Sequence, residues 1–228
     1  MKILVKLLQI LVTIAIPFAL ILTAMRIFFI PPFVRLEYNA PGFPADPYGF
    51  SKSDRIQWAT LSLNYLNNNE GIEFLGNLKF ADGSPVFNER ELSHMEDVKV
   101  FFKTAMQTWL WLFIFLVAAG ILAWCSGLLP AFWRAVSAGG WLTLGLIGLV
   151  MITVILNFNA LFTAFHRIFF EGDTWLFYYS DTLIRLFPMR LWQDLFIAIG
   201  VFSVAFALFL ALRGRKWANR QLKSKSAQ

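Results

Sequence analysis

Four apolar stretches, each near the ~20 residues a helix needs to cross a bilayer core, divide this 228-residue chain. They fall at 7–30, 104–124, 139–164 and 194–212. A helix satisfies its own backbone hydrogen bonds inside lipid. The chain is therefore expected to be mainly α: a polytopic membrane protein built as a four-transmembrane-helix bundle. Composition agrees. Hydrophobic residues make up 58% and charged residues 15%, too little polar surface to clothe a globule in water. That argues against a soluble enzyme, and the same apolar content excludes disorder for most of the chain. The first stretch could be mistaken for a signal peptide. It is long, however, and Arg26-Ile27-Phe28-Phe29 follows it in place of a small-x-small cleavage site, so it reads as a retained span.

Charge placement orients the spans. With both termini in the cytoplasm, the inner segments are the N-terminal residues, a loop over 125–138 and a tail over 213–228. They carry Lys2, Lys6, Arg134, Arg213, Arg215, Lys216, Arg220, Lys223 and Lys225. All 14 acidic residues then lie outside, which is the positive-inside pattern. The net charge of +6 is mostly this signal, and no nucleic-acid partner is inferred from it. Trp109, Trp111 and Trp192 fall near outer span ends, with Trp124, Trp133, Trp141 and Trp217 near inner ones, as an aromatic belt would place them.

The outer segment 31–103 is too long for a plain connector and is expected to fold. Pro31 to Gly49 reads as irregular chain. From Ser53 the apolar residues Ile56, Ala59, Leu63 and Leu66 recur at helical spacing, stopped at Asn67-Asn68-Asn69. Ile72–Phe80 and Val86-Phe87 flank Ala81-Asp82-Gly83-Ser84-Pro85, which suggests a small hairpin. The expectation is a small α+β extracytoplasmic domain. Two capping boxes overlap, Asn88 with Glu91 and Ser93 with Glu96; Asn88 is the slightly better start for a helix running straight into the second span. The second outer segment, 165–193, interleaves charge with Phe and Trp and suits the headgroup level. Residues from Arg220 onward look unstructured.

The chain has two histidines, and both sit beside an outer span end. His94 lies about ten residues, roughly 15 Å of helix, before the second span, and His166 lies just past the third. Imidazole is the side chain whose free pKa suits proton transfer near neutrality. Asp97 and Arg90 share His94's helix face. Asn159, Thr163 and His166 form a polar stripe on an apolar helix, and such groups usually have a partner or a task. The bland alternative is that interfacial histidines tolerate a wet boundary. Arg167 and Arg185 could simply hold lipid phosphate, and Arg26 could snorkel outward. No Walker loop, nucleophile elbow or His-Glu-x-x-His motif occurs. The single Cys125 falls on the inner side, and the His and carboxylate spacing gives only a weak metal signal. No metal site or cofactor is expected.

Three motifs carry a resemblance. Asn88-Glu89-Arg90-Glu91-Leu92-Ser93-His94-Met95-Glu96-Asp97-Val98-Lys99, then Phe165-His166-Arg167-Ile168-Phe169-Phe170, then Ser180-Asp181-Thr182-Leu183-Ile184-Arg185-Leu186-Phe187-Pro188 resemble a bacterial four-span membrane family that includes the lipoprotein intramolecular transacylases, Lit. The resemblance implies transfer of the sn-2 acyl chain of a diacylglyceryl group to the α-amino group of the same N-terminal Cys, giving lyso-form lipoprotein. It implies His94 and His166 as the catalytic pair. On this reading His94 is the base, oriented by Asp97, and His166 partners the oxyanion or returns the proton. Asp97, Asp181 and Arg185 are supporting residues; Arg167, Trp175 and Arg26 are candidates for substrate binding. The partners are a diacylated lipoprotein and membrane lipids, with no obligate protein partner. The setting is the bacterial cytoplasmic membrane with the site on its outer face. The competing reading is a non-enzymatic lipid- or metal-binding accessory protein.

Overall fold

The computed structural model describes residues 2–226, and side chains through residue 221. Among these residues eight helices follow one another: α1 (Lys2–Phe28), α2 (Pro31–Tyr38), α3 (Lys52–Asn67), α4 (Glu73–Gly76), α5 (Glu89–Cys125), α6 (Leu129–Phe169), α7 (Thr182–Leu186) and α8 (Met189–Ser226). Four of them, α1, α5, α6 and α8, are long and apolar enough to cross a membrane. The chain is a multi-pass membrane protein. It divides into two compact units, one formed by the described parts of 1–25, 106–153 and 197–228, the other by 26–105 and 154–196.

The first unit is a helix bundle held by small residues and side-chain-to-carbonyl bonds. Val12 and Ile16 of α1 pack with Ala119 of α5 and with Ala135 and Val136 of α6. Gly140 lets α6 lie directly on α8: a Cβ there would stand 2.6 Å from the Ala207 carbonyl oxygen and 2.7 Å from the Ala211 nitrogen. Ser137 Oγ donates to the Ala211 carbonyl at 2.6 Å, and Thr13 Oγ1 to that of Ala135 at 3.2 Å. Lipid offers no hydrophobic drive between helices, so close backbone approach and such bonds supply the association. Leu149, Val201 and Phe206 stay exposed, as a lipid-facing surface requires. The turn from α5 to α6 is closed by Gly127 at φ +68°, where only glycine sits without strain.

The second unit contains the long segment between α1 and the apolar part of α5, and the segment between α6 and α8. A capping box starts α3, with Ser51 Oγ accepting from the Asp54 amide and Asp54 accepting from the Ser51 amide. A second starts α5: Asn88 Oδ1 accepts from the Glu91 amide at 3.0 Å and Glu91 Oε2 accepts from the Asn88 amide at 2.8 Å. With the helix begun at Glu89, no break intervenes before Cys125. Buried Arg55 lies against the Tyr38 and Phe43 rings and donates to the carbonyls of Pro44 and Arg185, tying the loop after α2 to α7. Tyr38 donates to the Leu186 carbonyl at 2.5 Å.

The β part of the expected α+β domain is absent among the described residues. The Asp82-Gly83 turn forms, with Ser84 donating to Asp82, but its arms make only an isolated bridge between Lys79 and Pro85. Ile72–Gly76 has become α4 and its approach, leaving too little chain for a strand, and Pro85 has no N–H to extend a ladder. Pro31–Tyr38, read as irregular, is helical; Pro31 and Pro32 open it, where a missing N–H costs nothing, and Val34 and Tyr38 bury one face. The stretch α6 contains a break that hydropathy did not show. Asn157 has non-helical torsions (φ −159°, ψ 82°), and its Oδ1 accepts from the Ala160 amide at 3.0 Å, capping the C-terminal part of the helix. Instead of an unstructured tail from Arg220, α8 continues through Ser226; the expectation for 227–228 lies outside the described residues.

Candidate active site

His94 stands in the second turn of α5 because the helix begins at the Asn88 cap. His166 stands in the last turn of α6. The two imidazoles come together in the second unit, with ring centroids 6.0 Å apart and planes inclined by 25°. Aromatic side chains close the surroundings. Phe170 and Phe177 lie 5.0 and 5.3 Å from His94, and Phe162 and Trp175 lie 4.1 and 5.1 Å from His166, between ring centroids. His94 is 7% and His166 8% exposed.

Both rings lie outside the apolar stretches 104–124 and 139–164, and burial sets their chemistry. It pushes His94 down to about 4, with the neighbouring His166 adding to the effect. It also lowers His166, against the opposing pull of a bond to a carbonyl. That bond joins His166 Nδ1 to the Phe162 carbonyl oxygen at 2.8 Å. A carbonyl can only accept, so Nδ1 carries the proton and Nε2 presents its lone pair. The Nδ1 of His94 is buried with no hydrogen-bond partner. Desolvation thus favours the neutral form of both rings.

The supporting residues separate into those that frame the site and those that do not. Asp97 does not bond to His94; its nearest polar partner is Thr174 Oγ1 at 3.5 Å. Asp181 precedes α7 and accepts from Arg90 Nη2 and from the Tyr178 amide, both at 2.8 Å. Trp175 reaches His166, as noted. Arg185 is engaged elsewhere, paired with Asp46 at 2.9 Å and lying over the Phe50 ring. Burial alone would raise the Asp46 carboxyl, but the Arg185 bond and the Phe50 amide outweigh it and hold the group below its ordinary value. Arg26 donates to Asn67 at 3.3 Å. Asn159, Thr163 and Arg167 line an open groove of about 750 Å³ along the C-terminal part of α6. The stripe thus splits, with His166 on the buried side and the other polar groups facing outward.

Several framing residues escaped the sequence reading. Phe170 and Phe177 looked like ordinary interfacial aromatics. Glu91 was legible as a cap, but its second role was not. It is 1% exposed, and its Oε1 accepts from the Leu183 amide at 2.6 Å, so one carboxylate joins α5 to α7. Burial raises its pKa, opposed by the two amide bonds. Among the described residues, no group of three or more His, Cys, Asp or Glu could hold a metal ion.

Comparison with known proteins converges on one family. The model of the lipoprotein intramolecular transacylase Lit matches residues 10–192. A protein of Aquifex aeolicus (strain VF5), described only as uncharacterized, is 32% identical over 229 residues, spanning 97% of this chain and 99% of that one. The in meso structure of the membrane integral lipoprotein intramolecular transacylase Lit from Bacillus cereus superposes with a TM-score of 0.78 at 18% identity, covering 100% of both chains. A variant of the same protein with a histidine replaced by arginine gives 0.75 at 18% identity, covering 98% of this chain and 96% of that one. At these identities the two structures speak for the fold.

Proposed function

The chain belongs to the Lit family, the lipoprotein intramolecular transacylases, and on that premise we propose that it moves the sn-2 acyl chain of a diacylglyceryl-modified lipoprotein from the glycerol oxygen to the α-amino group of the same N-terminal Cys. The observation that carries the reading is the pair of buried imidazoles, 6.0 Å apart, walled by aromatic rings. An α-amino group has a pKa near ~8, so attack needs a base. His166 fits that role better than His94, because the Phe162 carbonyl holds its Nδ1–H and leaves Nε2 free. His166 Nε2 takes the amine proton as nitrogen attacks the ester carbonyl, and returns it to the departing glycerol oxygen. The nucleophile belongs to the substrate, which accords with the lack of a side-chain nucleophile motif. Ester and amine share one molecule, so holding them in attack geometry supplies much of the acceleration. Aromatic walls that exclude water protect the ester from hydrolysis. In the bilayer we place both termini in the cytoplasm and the histidines on the outer face, within reach of lipoprotein acyl chains.

The test uses purified protein and a synthetic diacylated lipopeptide. The reaction is an isomerisation, so mass stays constant. The N-terminus stops reacting with amine reagents, and fragment ions place the acyl chain on nitrogen. Wild type should convert the peptide and the His166→Ala and His94→Ala variants should not. A wild-type sample that leaves the amine free would overturn the proposal.

A further inference from the structure

Acyl transfer passes through a tetrahedral intermediate whose oxygen carries negative charge, and preorganised donors aimed at that oxygen are often the largest catalytic contribution. The two imidazoles do not supply a cation, since burial favours their neutral forms. Several cations of this unit are committed to other groups: Lys99 to the Glu70 carbonyl and Asn68, Arg185 to Asp46, Arg55 to two carbonyls, Arg190 to Asp194. Arg90 differs. It lies one helical turn before His94 on α5, and its guanidinium carbon is 5.7 Å from the Phe177 ring, the ring whose other neighbour is His94 at 5.3 Å. Its Nη2 bonds Asp181, yet its Nε is buried with no acceptor.

Two orphaned nitrogens, Arg90 Nε and His94 Nδ1, thus stand four residues apart on one helix beside one aromatic ring. Native interiors leave few buried polar atoms unpaired, and each exception calls for an explanation. An N–H of a guanidinium can only donate, so the group that completes it is an oxygen acceptor. A guanidinium also keeps its charge through the physiological range.

We propose that Arg90 is a catalytic residue of the transfer: its Nε–H, with His94 Nδ1–H beside it, binds the carbonyl oxygen of the ester under attack and holds the charge that develops there. The inference rests on the transacylase reading. The amine nitrogen forms a bond to the ester carbonyl carbon, and the π pair moves to the oxygen held by Arg90. The amine proton passes to His166 Nε2. Collapse re-forms the carbonyl, breaks the bond to the glycerol oxygen, and that oxygen takes the proton from His166. The product is an isomer of the substrate, and no co-reactant is consumed.

Steady-state conversion of the diacylated lipopeptide by wild type, Arg90→Gln, Arg90→Lys, Arg90→Ala and Asp181→Asn separates this role from a structural one. Arg90→Gln should lower kcat about 100-fold or more, in the range seen for loss of one oxyanion donor, with a smaller change in KM. Arg90→Lys, which keeps the charge, should retain more activity than Arg90→Gln. Added guanidinium ion should restore rate to Arg90→Ala and leave His94→Ala unrescued. Asp181→Asn removes the ion-pair partner and keeps the guanidinium, so it should lose far less than Arg90→Gln. If Asp181→Asn falls as far as Arg90→Gln and guanidinium rescues nothing, Arg90 is only a clamp and the proposal is wrong. An Arg90→Gln enzyme within threefold of an active wild type overturns it as well. An inactive wild type overturns the transacylase reading, and this inference with it.

Discussion

At the scale of single residues, His94 is governed by solvent exclusion. Its folded pKa, about 4, lies below the ~6.5 of a free imidazole. Between those values the unfolded chain binds a proton that the folded chain refuses, so stability rises with pH. The contribution is fully present above about pH 6.5 and is lost as pH falls through about 4. The thermal midpoint of detergent-solubilised protein should therefore drop between pH 7 and pH 4.5, and the drop should be smaller in His94→Phe; equal slopes would show that His94 titrates normally. The carboxylate of Glu91 makes a second residue-scale case. Replacing it by Ala leaves the buried Leu183 amide without an acceptor and removes a helix cap. The expected loss is about 2–4 kcal/mol, from an unsatisfied buried donor at ~1–3 plus a cap at ~1. Chemical denaturation in mixed micelles measures it, and a loss under ~0.5 kcal/mol, the size of an ordinary surface change, would refute the bridging role.

Elements are positioned here by small contacts with large leverage. The α6–α8 pair approaches so closely at Gly140 that an added methyl meets main-chain atoms of Ala207 and Ala211, which cannot swing aside. Gly140→Ala should cost about 1–3 kcal/mol, the range for overpacking. Gly200 is a matched control: its added Cβ meets the sulfur of Met151, the end of a flexible side chain, so Gly200→Ala should cost much less. Similar losses for both, measured by thermal unfolding, would contradict this account. The C-terminal part of α6 is capped by Asn157, whose side chain accepts from the Ala160 amide, and α5 owes its length to the choice of Asn88 over Ser93 as cap. Had Ser93 begun the helix, His94 would sit in a first turn rather than a second. The cap therefore helps to decide where the imidazole stands.

For the whole molecule, orientation follows from charge, and Cys125 offers a native probe. It is the only cysteine, it is exposed, and it closes α5 at the end assigned to the cytoplasm. A membrane-impermeant maleimide should label it in inside-out vesicles and spare it in intact cells; labelling of intact cells would reverse the proposed topology. The amino-acid sequence by itself determined the four membrane helices, because a bilayer imposes a length and an apolarity that local composition meets or fails. It also offered the α5 start, since a capping box is a bond between residues three apart, though it left Asn88 and Ser93 in competition. It singled out both histidines by their rarity and their place beside span ends. Other features came from tertiary structure alone. The hairpin arms near Asp82 lost to helix and loop, because strands need long-range partners that this segment lacks. The engagement of Arg185 with Asp46, the reach of Glu91 to Leu183 and the buried neutrality of the two imidazoles each depend on residues more than 70 positions apart meeting in space, or on the water such meetings expel. Neither distance nor desolvation is written in a local pattern.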